Sequence, residues 1–214
     1  MKQCMHKIIP AILAATIEDF SSKLDKLISF SDEFQIDIMD GEFVQEESFD
    51  ITELKELPMG KSFEFHLMVA HPLEYIDNLK RLNVKKVIFH DEIDEDTLAA
   101  INGFKKEGFT VFLATNPMSE PNKIEPYISQ VDGIMLMSVE PGKTGQKLIP
   151  SVLVKAKYLR EKYPNLVLEI DGGVNRENIQ AVFEAGINIA GVGSGILKAE
   201  DPAEEWRILA SFAK

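Results

Sequence analysis

The sequence predicts a (β/α)₈ barrel, folded as a single domain over residues 1–214. Three observations carry that expectation. Eight apolar runs of strand length alternate with eight longer amphipathic stretches. The runs are rich in Ile and Val, as strands covered on both faces are. No linker, low-complexity segment or charge block divides the chain, and 214 residues suffice for a core without disulfides or a structural metal. An open doubly wound sheet is the runner-up, and the eightfold count favours the barrel.

The first run, Ile8–Leu13, follows Lys2, His6 and Lys7, which gives the N-terminus a faint likeness to a signal sequence. Pro10 interrupts the run and its length is far below a membrane span, so a buried first strand is the better reading. A helix over Ile17–Ser29 comes next, then strand Phe34–Met39 and a helix over Asp50–Leu57. Strand Ser62–Val69 leads to helix Pro72–Leu82, with Pro72 in the first turn, where a missing N–H costs nothing, and His71 at its entry. Strand Lys86–His90 precedes helix Glu95–Glu107, which Gly108 ends. Strand Thr110–Thr115 pairs with helix Glu120–Ile128, and strand Gly133–Ser138 with helix Pro150–Tyr163. Strand Val167–Asp171 is followed by helix Arg176–Ala185, which Gly186 ends. Strand Ile189–Val192 and helix Pro202–Phe212, opened by Pro202, complete the pattern.

Composition narrows the function. With 45% hydrophobic and 27% charged residues, the chain is not of the disordered, collagenous or membrane-spanning kind. Lys plus Arg is 23 against 35 Asp plus Glu, a net charge of −12 that argues against nucleic-acid partners and anionic membranes. An anionic substrate then requires local capture against the global field. The lone cysteine, Cys4, has no internal disulfide partner, and a reducing, cytoplasmic location is expected.

In such barrels chemistry sits at the C-terminal ends of the strands. There the sequence places Asp37 and Asp40, His66, His90, Asn116, Ser138 and Asp171. Alternation puts Asp37 with Met39, His66 with Met68, and Met135 with Met137 on common strand faces. A ring of carboxylate, imidazole and thioether at one mouth reads as a reaction chamber. Any single strand-end Asp is more often a turn former or cap, and the methionines alone would be core filler.

Glycines form a second constellation. Asp171-Gly172-Gly173-Val174 closes the seventh strand and Gly191-Val192-Gly193-Ser194-Gly195 the eighth. These two loops, with a helix N-terminus, are where barrels hold phosphate; the bland alternative is a pair of tight turns. After the sixth strand, Pro141-Gly142-Lys143-Thr144-Gly145-Gln146 has the make-up of a mobile lid. Lys143 is equally readable as a phosphate contact or a solvated surface lysine.

These stretches resemble the ribulose-phosphate 3-epimerase family from about Ile8 to Leu197. The matching residues are Asp37-Ile38-Met39-Asp40-Gly41 with Phe43-Val44, His66-Leu67-Met68-Val69, Phe89-His90, Asn116-Pro117, Met137-Ser138-Val139-Glu140-Pro141-Gly142 with Gly145-Gln146, Glu169 to Val174, and Gly193-Ser194. The resemblance implies a barrel that inverts C3 of a pentulose 5-phosphate by proton transfer between two carboxylates, Asp37 and Asp171, through a cis-enediolate. It implies a divalent metal (Zn, Fe, Mn or Mg) on Asp37, His66 and Asp171, and no organic cofactor. It further implies Met39, Met68 and Met137 beside the reacting carbons, with His66 among the substrate contacts. Gly172, Gly173, Gly193 and Ser194 would form the phosphate cradle, Gly142 and Gly145 the lid, and the protein a homo-oligomer.

The chain departs from the family pattern at identifiable places. Gln35 stands where the family has a metal-ligating His, which leaves the metal site incomplete. Ala11 stands for a Ser that contacts substrate, Ala14 and Thr16 for a Ser and an Asp, and Lys143-Thr144 for an apolar-plus-glycine pair in the lid. The expected activity is interconversion of ribulose 5-phosphate and xylulose 5-phosphate, or of a related ketose phosphate. The alternative is a catalytically impaired sugar-phosphate binder. A phosphate-sugar decarboxylase is disfavoured, because Asp37-Ile38-Met39-Asp40 lacks the Lys of the Asp-x-Lys-x-x-Asp array.

Overall fold

A computed structural model describes residues 6–213. Lys2 and Cys4, on which the readings of the N-terminus and of the missing disulfide rest, lie outside the described residues. Eight parallel strands close into a barrel in sequence order: β1 Lys7–Leu13, β2 Glu33–Met39, β3 Ser62–Met68, β4 Lys86–His90, β5 Thr110–Thr115, β6 Gly133–Met137, β7 Leu168–Asp171 and β8 Ile189–Val192. The ring is sealed where β8 pairs with β1, with Val192 opposite Pro10. Three strands begin and end where the sequence predicts, and the other five differ by a residue at one end.

Alternation sorts the side chains. Phe34, Ile36 and Ile38 of β2 turn outward into the large core shared with the helices, while Gln35 and Asp37 turn inward. Register then sets the inner layers. Asp37 pairs with His66, His66 with Ile88, and Ile88 with Phe112. The middle of the barrel is filled by Ile88, Phe112, Ala114, Met135 and Met137. At its N-terminal end Lys86 Nζ pairs with Glu64 Oε2 at 2.6 Å and Glu169 Oε2 at 2.5 Å, and lies 3.8 Å over the Phe112 ring. Gly133 makes room for that ring, since a Cβ there would fall 2.5 Å from it.

The helices follow from their end signals. Helix α1 (Ile17–Leu27) is capped by Thr16, whose Oγ1 accepts from Asp19 N at 3.2 Å. This gives Thr16 a structural role. Helix α2 (Ile76–Arg81) is shorter than expected, because Pro72–Tyr75 forms a separate 3₁₀ turn before it. Helix α3 (Thr97–Lys106) is capped by Asp96, and Gly108 after it takes φ +85°. Helices α4 (Ser151–Lys162), α5 (Ile179–Glu184), α6 (Ser194–Leu197) and α7 (Pro202–Ala210) complete the set. Asp201 caps α7, with Pro202 as its first residue.

Two expected α-helices are absent. Asp50–Leu57 contains only the 3₁₀ turn Ile51–Glu53, and Leu54 already has ψ 104°. Pro58 restricts Leu57 to extended backbone and removes the last position of the expected helix, and the earlier stop at Leu54 has no local sequence signal. Glu120–Ile128 forms two 3₁₀ turns, Pro121–Lys123 and Glu125–Tyr127. Pro126 would sit in the interior of a helix there, without an N–H and against the preceding turn. Among the described residues, no helix is long and apolar enough to cross a membrane.

Candidate active site

The ends of β2 and β7 bring two carboxylates together. Asp37 and Asp171 are 6% and 9% exposed, enough to reach the barrel mouth. Gln35, fully buried one step below Asp37, bridges them: its Nε2 donates to Asp37 Oδ1 at 2.7 Å and to Asp171 Oδ2 at 2.9 Å. Its Oε1 is buried without a hydrogen-bond partner. Gly191 on β8 leaves space for the amide, since a Cβ there would lie 2.8 Å from Oε1 and 3.3 Å from Asp171 Oδ1.

His66 of β3 approaches the same pair, with Nδ1 3.2 Å from Asp37 Oδ1 and 3.6 Å from Asp171 Oδ2. The donor atoms of Asp37, His66 and Asp171 lie within 4.8 Å of one another, all on buried residues. Two carboxylate oxygens and an imidazole nitrogen suit a divalent cation. The orphaned Oε1 is the one atom of Gln35 with a lone pair to offer, and the Nε2 now between the carboxylates has none. Three ligands therefore fit the metal, and Gln35 adds none in this orientation.

Electrostatics follow from the burial. Desolvation and the Asp171 charge push the Asp37 carboxyl up from its ordinary value, against hydrogen bonds from His66 and Gln35. Burial opposes charge on His66, yet the hydrogen bonds and charges of Asp171 and Asp37 prevail and raise it to about 9. Behind it His66 Nε2 meets His90 Nε2 at 2.9 Å, and His90 Nδ1 meets Glu92 Oε2 at 3.3 Å. Burial dominates at His90 and lowers it to about 4. Glu92 Oε1 accepts from Asn116 N at 2.9 Å and Ser119 Oγ at 2.5 Å.

Above the carboxylates lies a cavity of about 210 Å³. Asp37, Met68, Met137, Gly142, Gly145, Gly172, Gly173, Asp171, Gly193 and Ser194 all line it, so the sequence-expected residues from five strands converge. His66 and Gln35 lie beneath it, fully buried. Met39 is buried in register with Met68 and is not part of the lining. Gly173 (φ +68°) packs against the Lys147–Leu148 backbone, where a Cβ would fall 2.4 Å from Leu148 N. Gly193 precedes α6, whose first N–H groups have no acceptor within the helix.

The loop after β6 folds back on itself. Gln146 Nε2 donates to Glu140 O at 2.7 Å and Lys143 O at 3.0 Å. The Lys143 side chain is 58% exposed and 3.8 Å from Glu46, although the residue also borders the cavity. Of the other polar strand ends, Asp40 is a turn former: its Oδ1 accepts from Glu42 N and Phe43 N, and its Oδ2 from Ala70 N. Ser138 Oγ donates to Asp171 O at 2.9 Å, which steadies the end of β7.

Sequence reasoning missed three lining lysines, Lys23, Lys26 and Lys198. They lie in α1 and just after α6, where helix spacing alone assigns them to a solvated face. It also gave His90 no partner and did not consider Glu92, which lies in the turn after β4, where strand alternation gives no signal.

The profile of the Ribulose-phosphate 3 epimerase family matches residues 7–197. A ribulose-phosphate 3-epimerase of Schizosaccharomyces pombe is 31% identical over 204 residues, covering 92% of this chain and 90% of that one. The cytoplasmic isoform of Oryza sativa subsp. japonica is 30% identical over 205 residues, with coverages of 92% and 90%. Among solved structures, a 3-hexulose-6-phosphate synthase from Salmonella typhimurium superposes with a TM-score of 0.71 at 18% identity, over 97% of this chain and 98% of that one. That likeness concerns the fold alone.

Proposed function

The chain belongs to the ribulose-phosphate 3-epimerase family, and from that premise we propose that it epimerises C3 of a ketose phosphate, ribulose 5-phosphate or a close relative. The observation that carries this reading is the meeting of Asp37 and Asp171, from β2 and β7, on one amide at the floor of a glycine-rimmed cavity.

One carboxylate takes the C3 proton, and the electron pair of the broken C–H bond moves into C2–C3 to give a cis-enediolate. The other carboxyl returns a proton to the opposite face of C3, and the C–H bond re-forms with inverted configuration. An upward-shifted Asp37 suits a pair that shares protons unequally, the pattern expected when two carboxyls work as acid and base. Gln35 holds both groups at fixed positions through its two N–H donors. Met68 and Met137 give the reacting carbons an apolar wall and exclude water. Gly172, Gly173, Gly193 and Ser194 present backbone N–H groups to the phosphate, and Lys198, also in the lining, adds charge of the sign the rest of the protein lacks. Asp37, His66 and Asp171 would hold the divalent ion (Zn, Fe, Mn or Mg), whose charge would stabilise the oxyanion that proton loss creates.

The deciding experiment is a ribulose 5-phosphate epimerisation assay on chelator-stripped protein resupplied separately with Mg, Mn, Fe(II), Co and Zn. Turnover that depends on one of these ions is the expected result. Sugar-phosphate binding without turnover under any of them would instead make the chain an impaired binder. We further infer that the chain forms a homo-oligomer, which sizing in solution tests.

A further inference from the structure

We propose that Glu92, acting through His90, is a positioning residue that fixes which nitrogen of His66 carries the proton, with Nδ1 facing the Asp37–Asp171 pair. Glu92 is the end of the hydrogen-bonded series furthest from Asp37. Glu92 Oε1 is engaged by Asn116 N and Ser119 Oγ, which leaves Oε2 to face His90 Nδ1 at 3.3 Å. A carboxylate has no proton to give, so His90 Nδ1 donates. The other nitrogen of a neutral His90 then carries a lone pair and accepts.

His66 Nε2 stands 2.9 Å from that lone pair, a distance that holds one proton between the two rings. The proton therefore sits on His66 Nε2. His66 Nδ1 is left toward the carboxylates, with its lone pair available to a cation or a second proton available to Asp37. Were the Glu92 acceptor absent, His90 could take the opposite tautomer and donate to His66 Nε2. Neutral His66 would then hold its only proton on Nδ1, and a cation at the Asp pair would face an N–H in place of a lone pair.

The surroundings enforce the direction. His66 and His90 are fully buried, and Phe43 lies against His90 with ring centroids 4.7 Å apart, so water does not come between the two imidazoles. Residues that orient a ligating imidazole through its second nitrogen usually matter by about 10- to 100-fold in activity or metal affinity. The catalytic part of this inference rests on the proposed epimerase reaction, and the hydrogen-bond direction does not.

The test is ¹⁵N-histidine NMR on the full chain, with turnover measured alongside. Wild-type protein should show a hydrogen-bonded proton on His66 Nε2, with N–N coupling across the bond to His90 Nε2. In metal-free protein above about pH 9, where His66 is neutral, Glu92→Leu should lose that signature, and in the turnover assay it should lower kcat about 10- to 100-fold with little change in KM. Glu92→Gln, which keeps a carbonyl acceptor for His90, should restore both. A wild-type proton on His90 Nε2 would overturn the proposal, as would a Glu92→Leu protein that keeps both the coupling and kcat. The wild-type spectrum needs no variant, so misfolding of Glu92→Leu leaves the test decisive. A wild type that shows the signature but turns over no ketose phosphate would sink the proposed function and leave the hydrogen-bond direction standing.

Discussion

Gln35 and Asp171, 136 residues apart in the chain, are joined by a 2.9 Å hydrogen bond through the sealed interior of the barrel. The same amide nitrogen holds Asp37. One neutral side chain thus organises the two groups proposed to handle the proton, at a position where the family resemblance implies a histidine.

Loss of either carboxylate should remove catalysis and spare binding. Asp37→Asn and Asp171→Asn should each lower kcat by about 10²- to 10⁴-fold, the usual worth of a positioned acid or base. Retained binding of the sugar phosphate, followed by calorimetry, would separate this from a collapsed site. Wild type should also exchange the C3 hydrogen with deuterated solvent, read by mass spectrometry.

Gln35→His should raise affinity for Zn, because an imidazole nitrogen replaces an amide that now presents N–H groups. A gain of about tenfold or more is expected. Competition against a chelator of known strength measures it, and an unchanged or weaker affinity counts against three-ligand binding at Asp37, His66 and Asp171.

Gly173→Ala should weaken phosphate capture and stability together. The residue has φ +68°, and its new methyl would meet Leu148 N at 2.4 Å. The left-handed backbone alone costs about 1–2 kcal/mol, and the contact forces the Lys147–Leu148 backbone to move. KM for the sugar phosphate should rise and Tm fall, whereas Gly60→Ala should cost stability only, since that glycine meets nothing within 4 Å and lies far from the cavity lining.

At the other end of the barrel, Lys86→Met should be severely destabilising. The ammonium pairs with both Glu64 and Glu169, whose side chains are 7% and 0% exposed and each has an unpartnered Oε1; its single charge balances one of them, and burial with the Glu169 charge pushes the Glu64 carboxyl well above its ordinary value. Breaking such a buried network costs about 3–5 kcal/mol. Denaturant unfolding of the variant should show it. Glu64→Gln combined with Lys86→Met should recover part of the loss.

Acid stability should depend on Glu92. Burial works against its charge, yet hydrogen bonds from His90, Ser119 and Asn116 hold it down to about 2. A carboxyl lowered on folding contributes stability that is present above its ordinary value of 4.5 and lost as pH falls through about 2. The Tm advantage of wild type over Glu92→Gln should therefore be full near neutrality and shrink between about pH 4.5 and 2. A gap that stays constant over that range would contradict the assignment.

Much of this molecule is legible in its residues. The Ile- and Val-rich runs gave all eight strands, because burial on both faces leaves a signature that needs no partner to be read. Asp37, Asp171 and the glycines that line the cavity were visible for the opposite reason: charge and glycine are out of place at the end of a buried strand. Of the two missing helices, the one over Glu120–Ile128 failed at Pro126, where a local backbone restriction outweighed amphipathic spacing, and the one over Asp50–Leu57 stops at Leu54, ahead of the position that Pro58 restricts. Non-local facts were not legible. That Gln35 turns its nitrogen to both carboxylates, or that His90 meets His66, depends on register between strands that sequence spacing does not supply.

The sealed ring also governs when the site can exist. Asp37 reaches Asp171 only if β2 and β7 lie across one lumen, which requires the first strand to find the last. Contacts of such long sequence separation form late and slowly. During refolding, the return of turnover should lag behind the recovery of helix and strand, and its rate should report the closure of the barrel itself.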